Sequence, residues 1–130
     1  MKTQGEVEAA ISGEISKFYS AVFGKGPKSI TVNAVNSVVV VIVQNALTNG
    51  ERLLTEGDSG RGMLKTVRES LVSAHEHELS EVVHGATETD VLSVHHNALP
   101  TTGEEAFVFS LRAAPNYRLN NNGKKLIVYR

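Results

Sequence analysis

On a helix, His77, Glu81 and His84 stand at i, i+4 and i+7 and share one face. Imidazole and carboxylate ligate divalent transition metals, so these three are the candidate metal site of the run His75-Glu76-His77-Glu78-Leu79-Ser80-Glu81-Val82-Val83-His84. The spacing differs from the metalloprotease pattern, where two histidines four apart flank a catalytic glutamate. The plain alternative is a solvated polar face, the usual place of His and Glu. Apart from a divalent metal, no cofactor is expected. A second candidate is Ser59-Gly60-Arg61, within Gly57-Asp58-Ser59-Gly60-Arg61-Gly62. Placed before a helix N-terminus, it could hold an anion on backbone N–H groups and a guanidinium; its alternative is a linker between two helices. Gly24-Lys25-Gly26-Pro27-Lys28 also offers N–H groups and two ammonium groups, but it follows a helix C-terminus, where the dipole disfavours anions. His95 and His96 are adjacent on an expected strand and point to opposite faces, one toward the core and one outward. No catalytic residue is assigned, because no nucleophile, base and orienting acid stand at a recognisable spacing. The chain reads more readily as a non-enzyme than as an enzyme.

These residues need elements to hold them. With 130 residues the chain suits one domain. Its formal net charge of −1 gives no support for phosphate neutralisation, so no nucleic-acid partner is expected. Cysteine is absent, which removes disulfides and thiolate chemistry. The longest apolar run, Val38 to Val43, falls far short of the roughly 18 residues a membrane-spanning helix needs. The first residues lack the apolar core of a secretory signal, and the expected compartment is the cytoplasm.

From Gly5 to Phe23, Val7, Ile11, Ile15, Phe18 and Val22 recur at helical spacing. Gly24 and Pro27 stop that helix. Ser29 to Val35 alternates as a strand, Asn36-Ser37 turns, and the β-branched run Val38 to Val43 forms a second strand. An unbroken apolar run implies cover on both faces. Val40 or Ile42 is expected under the helices, and Val39, Val41 and Val43 at an oligomer interface. Thr48-Asn49-Gly50-Glu51 matches a capping box for a short helix. A longer helix is expected from Met63 to His84, capped by Asp58 or Ser59, ended by Gly85, with Leu64, Val67, Leu71, Leu79 and Val82 inward. Val91–Asn97 and Glu104–Arg112 read as a hairpin, with Leu92, Val94 and His96 sharing one face and Phe107, Phe109 and Leu111 another. Asn120-Asn121-Asn122-Gly123 marks a turn between Tyr117-Arg118-Leu119 and Leu126-Ile127-Val128-Tyr129, a further hairpin or an arm.

The order α-β-β-α-α-β-β gives an α+β two-layer sandwich, a mostly antiparallel sheet with helices on one face. A single domain over residues 1–112 is followed by a basic extension over 113–130. From Glu51 to Asp90 acids outnumber bases, whereas Arg112, Arg118, Lys124, Lys125 and Arg130 meet no acid in the tail. Pairing of tail and acidic helix between subunits would follow from that asymmetry.

Several segments, taken in order, resemble the MpsC-like family of small bacterial proteins. They are Lys2-Thr3-Gln4-Gly5-Glu6-Val7-Glu8, Gly24-Lys25-Gly26-Pro27, Leu47-Thr48 with Glu51-Arg52-Leu53, and Gly60 with Val67-Arg68. Val91-Leu92-Ser93-Val94-His95, Gly103-Glu104 and Phe107-Val108-Phe109 complete the set. Lys25 stands where that family commonly has Arg, and His96-Asn97 where it has an acid. The resemblance implies a soluble accessory or regulatory protein beside an ion or inorganic-carbon transport system, with a membrane transport protein as partner. A homodimer or higher homo-oligomer is the other expected assembly. The alternative is a small-ligand or divalent-metal module built on the His-rich helix.

Overall fold

The computed structural model describes residues 1–119. Its elements run α1 (Gln4–Phe23), β1 (Ser29–Val35), β2 (Val38–Gln44), α2 (Asn49–Leu54), α3 (Asp58–Ala74), α4 (Glu76–Thr87), β3 (Val91–Leu99) and β4 (Glu104–Leu111). The strands form one sheet in the order β1-β2-β4-β3, every neighbour antiparallel. Helices α1, α3 and α4 pack on one face, as an α+β sandwich requires.

Thr3 starts α1 through a capping box with Glu6, and Gly24 ends it at φ 77°, a left-handed angle that suits glycine. Val7, Ile11, Ile15 and Phe18 are buried as their spacing predicts; Tyr19 joins them. Strands β2 and β4 alternate cleanly between inward and outward positions. Phe107, Phe109 and Leu111 of β4 point under the helices.

In β2 the inward residues are Val39, Val41 and Val43, each fully buried in the core. This corrects the expected parity: these three cannot form an interface with another subunit, and Val40 and Ile42 lie on the outer face. Register decides it, because Val39 pairs with Phe109 and Val41 with Phe107, and side chains opposite one another share a face.

The expected long helix is two helices. It starts at Asp58, after an N-cap at Gly57 that makes no side-chain bond, so neither Asp58 nor Ser59 is the cap. It breaks at His75 (φ −115°, ψ 19°), whose Nδ1 lies 2.8 Å from the Leu71 carbonyl and whose ring meets Phe18 edge-on. The break lets α3 lie on β3 while α4 packs on α1. Leu64 and Leu79 are inward as expected, but Val67 is 50% exposed and Arg68, Val72 and Val83 take the buried stripe. Gly85 sits inside α4, which ends at Thr87 before left-handed Glu88. A register shift between Val91 and Ser93 turns Leu92 outward, away from the face of Val94 and His96.

Beyond β4 the chain continues onto the body. Pro115 is buried, Tyr117 packs on the core, and Arg118 pairs with Glu6. Arg112 pairs with Asp90, so two tail cations meet acids of their own chain. Tyr117, Arg118 and Leu119 are not in a strand; Asn120 to Tyr129, the rest of the expected hairpin, lies outside the described residues.

Candidate functional site

The alternation that buries Phe107 and Phe109 also buries Glu105, which is 0% exposed. A carboxylate in that position must be met by donors. Four arrive from four elements. Tyr19 of α1 donates its hydroxyl to Oε1 at 2.6 Å. His96 of β3 places Nε2 2.8 Å from Oε1. Asn45, in the loop after β2, donates to Oε2 at 3.1 Å. Arg68 of α3 donates Nε to Oε2 at 2.5 Å. Burial by itself would raise the Glu105 carboxyl, but the bonds from His96 and Tyr19 and the charge of Arg68 outweigh it and hold the group below the usual carboxylate range. An ionised carboxylate only accepts, so His96 carries its proton on Nε2 in this bond. Burial, followed by the Glu105 charge, pushes the Tyr19 phenol far above its ordinary range and keeps it a donor.

Arg68 links this cluster to an opening. Its guanidinium lies over the Phe23 ring, 4.1 Å from the centroid, and a second nitrogen reaches Glu51 Oε2 at 3.3 Å. Glu51 is held by the capping box with Thr48, the same box the sequence announces. Beside them lies a cavity of about 150 Å³, lined in part by Phe23, Lys25, Gly26, Thr48, Glu51 and Arg68. That is well below the several hundred Å³ of a nucleotide or large-cofactor site and suits a small ligand.

The other candidates lie elsewhere. His77, Glu81 and His84 line one open groove of about 560 Å³ with Glu76, Ser80 and Asp90. His84 is engaged by the Thr89 carbonyl at 3.0 Å and stands 3.6 Å from Asp90. Among the described residues no three His, Asp or Glu side chains converge as a metal-ligand group. Ser59 and Gly60 lie within the first turn of α3, and Arg61 is spent on the Thr55 carbonyl, at 2.7 Å, and on Asp58. Gly60 instead serves close packing, since a Cβ there would stand 2.1 Å from the Leu54 carbonyl oxygen. His95 faces out and His96 in, as strand alternation requires. Sequence reasoning passes over Glu105 and Tyr19. The available signal is parity, since Glu105 shares the inward phase of Phe107 and Phe109.

A family model described as "MpsC: Na+-translocating membrane potential-generating system (MpsC)" matches residues 3–113. The chain belongs to the MpsC family. It is thereby an accessory component of an ion-translocating system, and no helix among its described residues is long and apolar enough to cross a membrane. A relative from Bacillus subtilis (strain 168), "Uncharacterized protein YbcI", is 26% identical over 110 residues, covering 85% of this chain and 89% of its own. No solved structure matches. In this MpsC-family chain, the segments that carried the resemblance from three separate places in the sequence meet at the cavity: Lys25-Gly26, Thr48 with Glu51, and Val67-Arg68.

Proposed function

We propose that this protein serves its ion-translocating system as a non-enzymatic docking subunit, and does so as a homodimer joined through the outer face of its sheet. The observation that carries the reading is the make-up of that face. Val40 stands beside Val108, and Ile42 beside Ala106, at the centre of the two inner strands. Asn33 and Thr31 flank them on β1, His95 and Asn97 on β3. The helices all lie on the opposite face, so an apolar centre within a polar rim is left without a covering layer among the described residues. Two such faces stacked about a two-fold axis would each cover the other, because the same patch serves both partners.

Contact with the membrane component would fall to a different surface. Leu53, Met63 and Val67 of α2 and α3 are 67%, 57% and 50% exposed, an unusual density of large apolar side chains on one helix pair. Light scattering of the full chain tests the dimer. A dimer that becomes a folded monomer on Val40→Glu supports the reading; a wild-type monomer at micromolar concentration overturns it.

A further inference from the structure

Arg68 is 9% exposed, yet its bonds leave part of the guanidinium unused. Nε meets Glu105 and one terminal nitrogen meets Glu51; the other terminal nitrogen has no partner among the described residues. A guanidinium carries five N–H donors, so this nitrogen, which is not fully shut off from solvent, is free to meet a ligand. Arg68 lines the cavity of about 150 Å³. Lys25 lines the same cavity, and Thr48, whose oxygen already accepts from the Glu51 N–H, retains its hydroxyl proton to donate. The remaining wall is apolar: the Phe23 ring, Leu64 and Val67.

We propose that this cavity binds a small organic monocarboxylate. Its carboxylate would accept from Arg68 and Lys25, with Thr48 as a third donor, and its short carbon chain would lie on Phe23, Leu64 and Val67. Arg68 and Lys25 are balanced by Glu51 and by Glu105 behind Arg68, so directed N–H donors rather than excess charge would hold the ligand, which favours a monoanion over a multiply charged one. Phe23, Leu64 and Val67 make up the apolar part of the lining, which favours an acid with a hydrocarbon end over an inorganic oxyanion. The cavity's size excludes nucleotides and large cofactors. Arg68 would stay anchored from behind by Glu105, so the ligand would meet a guanidinium already fixed in place. This proposal stands independently of the dimer, since none of these residues lies on the outer sheet face.

The test is an NMR titration of the full chain with sodium butyrate, sodium acetate, sodium phosphate and sodium chloride at matched ionic strength. The expected result is a saturable shift of the Phe23, Val67 and Arg68 signals with butyrate, weaker with acetate and absent with chloride. Lys25→Gln, at an exposed position, should keep the fold and weaken butyrate binding about tenfold, the loss of one charge-assisted bond. Phosphate binding more tightly than butyrate would overturn the carboxylate assignment. Equal response to chloride, no saturable response, or unchanged binding in Lys25→Gln would overturn the site.

Discussion

Tyr19 and Glu105 stand 86 residues apart in the chain and 2.6 Å apart in the fold, joined by a buried hydroxyl-to-carboxylate hydrogen bond. The bond ties the first helix to the last strand at the centre of the core. Tyr19→Phe keeps the ring, and with it the stacking on Phe23, but removes one of four donors to a buried charge. The expected loss is about 1.5–3 kcal/mol, the usual range for a hydrogen bond to a charged group. Glu105→Ala should cost more, about 3–5 kcal/mol, because it also leaves the Arg68 charge buried without its main partner. Denaturant melts of the two variants check both the sizes and their order.

The same carboxylate sets an acid limit. Its pKa is lowered in the folded protein, so the unfolded chain binds the proton more readily. Its contribution is therefore complete above the ordinary carboxylate pKa of about 4.3 and is lost as pH falls through the lower folded value. Stability of the wild type should drop steeply below about pH 4, whereas Glu105→Gln should begin lower and fall less steeply. Parallel acid-unfolding curves for the two proteins would show that the decisive proton binds elsewhere.

What could be read from the sequence follows a physical division. Local signals held: the Thr48–Glu51 box, Gly24 as a helix stop, and the alternation of Phe107, Phe109 and Leu111 depend on neighbours within a few residues. The phase of Val38 to Val43 could not be read, since every position is β-branched or apolar and only pairing with β4 selects Val39, Val41 and Val43. The break at His75 was equally hidden, because the apolar period continues across it and the bend serves packing against α1 and β3. The candidate site needed Lys25, Thr48, Glu51 and Arg68 brought together from distant segments, and no spacing along the chain reports that.

Gly60 offers a sharp packing test. A methyl group there would meet the Leu54 backbone oxygen at 2.1 Å, and backbone cannot swing aside as a long side chain can. Gly60→Ala would ordinarily stabilise a helix by about 1 kcal/mol. Here it should destabilise the protein and push α2 off α3. A raised melting temperature would show that the two helices do not cross this closely.

Thr48→Ala removes the hydroxyl that accepts from the Glu51 N–H at 3.1 Å. The expected cost is about 1 kcal/mol. Because α2 buries no residue of its own, much of that loss should appear as faster local amide exchange in α2 rather than in the global melt. Glu51, released from the box, would also hold Arg68 less firmly. Unchanged exchange over Asn49 to Leu54 would show that the box does not hold this helix.

The two faces of the sheet should respond differently to truncation. Phe109 is fully buried beneath the helices, and Phe109→Ala should cost about 3–5 kcal/mol whatever the oligomeric state. Ile42 is half-buried on the outer face, among Thr31 and Ala106, so much of its side chain has no intramolecular cover. Ile42→Ala should therefore cost clearly less than Phe109→Ala in a dilute, monomeric sample. If the dimer forms through this face, the penalty of Ile42→Ala should grow with protein concentration, because the lost methyl groups then come from an interface and unfolding is linked to dissociation. Melting temperatures of wild type and both variants, measured over a wide dilution series, separate the cases. A penalty for Ile42→Ala that matches Phe109→Ala and ignores concentration would return Ile42 to the intramolecular core.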